Sequence, residues 1–269
     1  LLEQLLVMQL FDAHVHLSNA QLKAALPRIL SCYTGIGLAK AVIVGTSPED
    51  WPEVIELARQ DARCLPAIGL HPWQVNSAPE DWRTQLIGHL ENGVSVIGEI
   101  GLDQWLRGHD ITRQQDAFSW QLSLATERNL PTSIHCLKAH QPLLQTLRQV
   151  PLPQRGFKLH AYNGPVETLA ALLDLGAYFS FNAGQLKPMA RRVLQLIRSV
   201  PDDRLLIETD APDFLPPPEL REFTLEHPEL CHPGNIRAGY CAIAELRSCT
   251  LDELTNVVAR NFDRYFLQS

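Results

Sequence analysis

The sequence lacks the features that would place it in several large classes. No Cys-x-x-Cys pair occurs among its six scattered cysteines (Cys32, Cys64, Cys136, Cys231, Cys241 and Cys249), so neither a zinc ribbon nor a disulfide framework has spacing to support it. Reduced thiols in a cytoplasmic protein are the simplest expectation. No apolar run approaches the ~18 residues that a membrane-crossing helix needs. Leu1 to Val7 is apolar but short, and without a basic start or a clear cleavage site it does not read as a signal peptide. Met8 is the expected natural start, which makes 8–269 the domain and 1–7 extra residues. Positive charge is not in excess: 23 Lys and Arg stand against 30 Asp and Glu, a net charge of −7. That balance argues against a protein that coats nucleic acid non-specifically, although it leaves room for a local basic patch. No Gly-x-Gly-x-x-Gly follows the first predicted strand, which disfavours an open doubly wound sheet.

What the sequence does hold is a regular alternation of apolar, β-rich runs with helical patterns. The strands are expected at Phe11 to Leu17, Ala41 to Thr46, Cys64 to Leu70, Val94 to Leu102, Thr132 to Cys136, Gly156 to Tyr162, Ala177 to Ala183 and Arg204 to Thr209. Between them, Ser47-Pro48 reads as the cap of one helix, Thr112 as the cap of another running to Arg128, and Ile236 to Tyr265 as a final helical region. Alternating strands and helices predict a parallel sheet, and eight units in about 250 residues predict a single closed (β/α)8 TIM barrel.

The chemistry-bearing residues fall at the C-terminal ends of those strands, the face on which this barrel builds its sites. Asp12, His14 and His16 share one strand face by the two-residue period. His71, Glu99, Asp103, His135, His160, Glu208 and Asp210 follow at the ends of later strands. Imidazole and carboxylate ligands suit zinc, magnesium or manganese. Four histidines and two carboxylates exceed the needs of one tetrahedral ion, whereas two ions sharing a carboxylate would use them all. Glu99 lies in an otherwise apolar strand, where a carboxylate needs a partner. His89, His109, His140, His227 and His232 fall in helices or loops and read as surface residues.

Taken in order, Phe11-Asp12-Ala13-His14-Val15-His16, Gly69-Leu70-His71-Pro72, Gly98-Glu99-Ile100-Gly101-Leu102-Asp103, the His135 strand end, His160-Ala161-Tyr162-Asn163-Gly164, Glu208-Thr209-Asp210-Ala211-Pro212 and Asn261-Phe262 make the chain resemble the TatD family of metal-dependent deoxyribonucleases. The resemblance implies a TIM barrel with two divalent metal ions. It implies that His14 and His16 bind the first ion with Asp210 beside it, that Glu99 bridges, and that His135 and His160 bind the second. Asp210 would also accept a proton from the attacking water, and His71 would contact the substrate phosphate. The chain departs from the family pattern at Leu137, where an Arg is usual. Lys138 next door could serve as a point charge without the bidentate fork. Lys158, two residues before His160, stands where an apolar residue is usual.

The expected function is that of a 3′-5′ exonuclease-type phosphodiesterase acting on DNA, without a membrane partner and with a monomer as the simplest state. The alternatives are a metal hydrolase of an ester or amide, such as an aminoacyl ester of tRNA, and a non-catalytic subunit that kept the metal scaffold. DNA binding by so acidic a chain calls for a concentrated basic rim, for which Arg107, Arg113, Lys138, Lys187, Arg191 and Arg192 are the candidates.

Overall fold

The computed structural model describes residues 9–105, 107, 108 and 110–268, which leaves Leu1 to Met8, Leu106, His109 and Ser269 outside the described residues. Eight strands run in chain order around one parallel sheet: β1 (Leu10–Val15), β2 (Leu38–Val44), β3 (Cys64–Ile68), β4 (Val96–Asp103), β5 (Thr132–Leu137), β6 (Phe157–Leu159), β7 (Ala177–Phe181) and β8 (Leu205–Ile207). The sheet closes where β1 meets the segment after β8. Asp210 N–H donates to the His14 carbonyl at 2.9 Å, and His16 N–H donates to the Ala211 carbonyl at 2.9 Å. These bonds make the TIM barrel and exclude the open sheet.

Among the described residues, eight helices alternate with the strands and a ninth follows the last of them: α1 (Leu26–Gly35), α2 (Trp51–Gln60), α3 (Trp82–Glu91), α4 (Ile111–Glu127), α5 (His140–Gln149), α6 (Leu169–Asp174), α7 (Arg191–Ser199), α8 (Ile236–Arg247) and α9 (Leu251–Phe262). Their starts differ from the expected caps for local reasons. Asp50, not Ser47, organises the start of α2: its carboxylate accepts from Thr46 N at 2.9 Å, Ser47 N at 3.2 Å and Thr46 Oγ1 at 2.7 Å. Asp110 caps α4 by accepting from Arg113 N at 3.1 Å, which leaves Thr112 inside the first turn. The final helical region is two helices, broken at Ser248 (φ +56°) and restarted by a Thr250–Glu253 capping box. All six cysteines are free thiols, and among the described residues no helix is long and apolar enough to cross a membrane.

Two buried glutamines of α4 hold the strand ends that carry the site. The Gln121 amide accepts from Leu70 N at 2.7 Å and donates to Leu70 O at 3.2 Å, just before His71. The Gln114 amide does the same for Asp103, at 2.8 Å and 3.0 Å. Each amide thereby satisfies a backbone donor and acceptor that the sheet leaves open. The glycines around Glu99 permit close contact of β4 with β5. A Cβ at Gly98 would stand 2.7 Å from the Ser133 Cβ, and one at Gly101, where φ is +142°, would stand 2.0 Å from the His135 carbonyl oxygen. That closeness brings Glu99 within reach of His135.

Candidate metal centre

Glu99 lies at the middle of the strand-end cluster, almost fully buried, with each carboxylate oxygen turned to a different group of imidazoles. Oε2 is 3.4 Å from His14 Nε2 and 3.4 Å from His16 Nε2. Oε1 is 2.7 Å from His160 Nε2, 2.9 Å from His135 Nδ1 and 3.5 Å from His71 Nε2. Asp210 completes the first group, its Oδ1 3.6 Å from His14 Nε2 and 3.4 Å from His16 Nε2, while the two imidazole nitrogens are 3.2 Å apart. A tetrahedral ion with bonds of ~2.0–2.2 Å needs donor atoms roughly 3.3–3.6 Å apart. The first group therefore fits one divalent cation. The second group, Glu99 Oε1, His135 Nδ1 and His160 Nε2, offers three further donors; its imidazole nitrogens are 3.4 Å apart, while Glu99 Oε1 stands at hydrogen-bond distance from both, closer than two ligands of one ion.

The surrounding contacts fix which nitrogen of each ring faces the centre. His16 Nδ1 donates to the Val44 carbonyl at 3.0 Å, which turns its Nε2 lone pair inward. His14 Nδ1 lies 2.8 Å from the Ser133 hydroxyl. His135 Nε2 lies 3.0 Å from Asp103 Oδ2, so its Nδ1 is the atom that faces Glu99. Asp103 also accepts from Trp73 Nε1 at 2.7 Å and from Trp105 N at 2.6 Å. The sequence places Asp103 at a strand end without indicating this part. Its place four residues after Glu99, an even number along one strand, was the available signal. Asp12 does not join the metal-facing donors. Fully buried, its carboxylate accepts from Thr209 N at 3.0 Å, Thr209 Oγ1 at 2.5 Å and His14 N at 3.1 Å, tying β1 to the end of β8.

Charge in the metal-free protein follows from these neighbours. Burial opposes the charge of Glu99, but the surrounding histidines hold its carboxyl well below the usual range. The same contest keeps the Asp210 carboxyl low, with the His16 hydrogen bond as the chief opponent of burial. Burial works against a protonated His16 as well, yet the Asp210 hydrogen bond and the nearby Glu99 carry it up to about 9. His14 goes the other way, to about 4, because burial is joined by repulsion from His160 and Lys158. Burial also dominates at Asp12 and raises its carboxyl to about 7.

Above the cluster opens a cavity of about 520 Å³, within the range of small-molecule sites. Its lining includes His16, His71, Glu99, His135, His160 and Asp210, together with Trp73, Trp105, Leu137, Asp213 and Phe214. Trp73 and Trp105 are 47% and 59% exposed, aromatic faces open to a ligand. His71 is thus at the site. Lys138 is exposed and does not line the cavity, and neither do Arg107, Arg113, Lys187, Arg191 or Arg192. Among the described residues no Lys or Arg lines it at all. Of the histidines expected at the surface, His227 is exposed and His89 and His140 are half-buried. His232 is buried, where its Nδ1 accepts from Gly234 N at 2.9 Å.

Residues 11–267 match the family model described as TatD related DNase. The chain belongs to that family. Among relatives of the TatD family, an uncharacterized metal-dependent hydrolase of Bacillus subtilis, YabD, is 29% identical over 260 residues, covering 96% of this chain and 98% of the other. The 3′-5′ ssDNA/RNA exonuclease TatD of Escherichia coli is 30% identical over 213 residues, covering 77% and 80%. The crystal structure of the TatD homologue YjjV from Escherichia coli superposes with a TM-score of 0.88 at 25% identity, covering 98% of this chain and 100% of that one. Family membership bears out the resemblance read from the motifs, and with it a metal-dependent hydrolase on a TIM barrel.

Proposed function

We propose that the protein is a two-metal phosphodiesterase that removes nucleotides from the 3′ end of single-stranded DNA. The observation that carries this reading is the division of Glu99, one oxygen toward His14 and His16 and the other toward His135 and His160. His14, His16, Glu99 and Asp210 would hold one divalent ion, and Glu99, His135 and His160 a second. The spacing of the first donors suits a four-coordinate ion such as zinc, with manganese and magnesium as the competitors. A bound divalent pair supplies Lewis acidity, polarising a phosphoryl oxygen and lowering the pKa of water. The chain supplies the rest. Asp210, with its second oxygen 3.7 Å from His160 Nδ1, is the proton acceptor. His71 at the cavity wall contacts the scissile phosphate. Trp73 and Trp105 offer stacking faces that accept any base, which suits an unpaired strand. The relative named as a 3′-5′ ssDNA/RNA exonuclease supports the polarity.

A second reading, hydrolysis of an ester or amide, is favoured by one feature: the described cavity lining holds a spare carboxylate, Asp213, and no cation. The experiment loads the purified protein separately with Zn²⁺, Mn²⁺ and Mg²⁺ and supplies labelled single-stranded DNA, duplex DNA and a panel of carbonyl esters. Stepwise shortening of the single strand from its 3′ end, abolished by a chelator, is the expected result. Cleavage of the esters with intact DNA would replace the phosphodiesterase reading by the second.

A further inference from the structure

Lys158 is fully buried, two residues before His160, and no part of the proposed hydrolysis uses it. Its ammonium reaches across the barrel to β1 and donates to the Ala13 carbonyl at 2.7 Å. It lies 3.8 Å from Glu208 Oε2. Glu208 is in turn held by the Ser180 hydroxyl and by Ala161 N, the latter at 2.7 Å. A buried ammonium is tolerable only with such partners. The same nitrogen is 3.5 Å from His14 Nδ1. An ammonium has no lone pair to offer, so the Ser133 hydroxyl is left as the acceptor for a proton on Nδ1. The positive charge of the ammonium therefore stands directly behind the imidazole whose other nitrogen faces Glu99 and Asp210. Without an ion, that charge offsets a crowd of carboxylates. With an ion, it faces a dication across one imidazole ring.

We propose that Lys158 is an internal counter-charge, which stabilises the metal-free barrel and lowers the affinity of the centre for its divalent ion. It acts through His14 and Glu208 and is thus a positioning residue. The proposal rests on reading the strand-end cluster as a metal centre, and not on which bond is hydrolysed.

The test measures Zn²⁺ alone, by competition with a chromogenic chelator, against the wild type, Lys158→Met, Lys158→Gln and the double variant Lys158→Met/Glu208→Gln. The thermal midpoint of each metal-stripped protein is recorded alongside. Both single variants should bind Zn²⁺ roughly tenfold or more tightly, because the repulsive charge is gone. Both should melt lower when stripped, because Glu208 is left without its counter-ion. The double variant should return toward wild-type affinity. A merely structural role predicts that affinity and stability fall together, so a gain in one with a loss in the other is diagnostic. If Lys158→Met does not fold, Lys158→Gln, which keeps a donor for the Ala13 carbonyl, carries the measurement. Unchanged or weaker Zn²⁺ binding in the folded variants overturns the proposal. A wild type that takes up no Zn²⁺ overturns the metal reading and this inference with it.

Discussion

Glu99→Gln changes almost no volume and removes the one group that faces both sets of ligands. The wild-type carboxylate has five imidazole nitrogens within 3.5 Å, two on Oε2 and three on Oε1. An amide keeps one neutral acceptor and turns an NH2 donor toward the other set, where an ion or a protonated imidazole needs an acceptor. Deleting one partner of a buried, charged contact costs roughly 3–5 kcal/mol. At about 1.4 kcal/mol per tenfold, metal affinity should fall by roughly two to three and a half orders of magnitude. The assay is elemental analysis after dialysis against a fixed free-metal concentration, followed by nucleotide release from a labelled single strand. Circular dichroism should show an intact barrel, since the core around Val96, Ile97 and Ile100 is untouched. Wild-type metal occupancy and affinity in a folded Glu99→Gln protein would refute the assignment of Glu99 as the shared ligand.

Asp210→Asn should lower kcat by ~10²–10⁴ with little change in the fold, as expected for loss of a proton acceptor. A fully metal-loaded variant with less than a tenfold deficit would remove Asp210 from that role. Leu137→Arg places a guanidinium in a cavity lining that has no described cation. One charge-assisted hydrogen bond of ~1.5–3 kcal/mol should raise phosphodiesterase efficiency roughly ten- to a hundredfold, and a folded, metal-loaded variant without any rise speaks against a phosphate in this part of the cavity. Metal uptake should release protons at pH 7, because His16 is raised to about 9 in the metal-free protein by Asp210 and Glu99 against burial, and a ligating imidazole must be neutral. Affinity should then climb between pH 6 and 8, and titration calorimetry in buffers of different ionisation enthalpy reads the protons directly; a flat profile contradicts it. The sign for stability is opposite: the His16 contribution to the metal-free fold is full below its ordinary value of 6.5 and is lost as pH rises through about 9.

The barrel and the clustering of histidines and carboxylates at its strand ends were legible because both depend on short-range pattern. The His14–His16 spacing, the Glu99 motif and Asp210 each announce a strand end, and eight strand–helix units leave few ways to arrange those ends. Helix starts were less legible, since a capping carboxylate is chosen by the turn it closes. Asp50 gathers three donors from Thr46 and Ser47, which no reading of Ser47-Pro48 alone reveals. The final strands proved short, so that His160, Glu208 and Asp210 sit just past β6 and β8 and are held there by cross-barrel bonds such as Asp210 N to His14 O. His232 falls in a loop and so reads as a surface residue, but its ring packs on Phe223 at 5.4 Å. The basic rim was not legible at all. Side chains scattered over two helices and several loops are sorted into or out of a cavity by tertiary placement, and here the described mouth received Trp73 and Trp105 instead.

The most direct measurement of the central claim is anomalous diffraction from crystals soaked in Mn²⁺, collected near the manganese edge. The account predicts two peaks on either side of Glu99, one within bonding distance of His14, His16 and Asp210 and the other of His135 and His160. No peak at Glu99, or ions bound only elsewhere on the barrel, would contradict it.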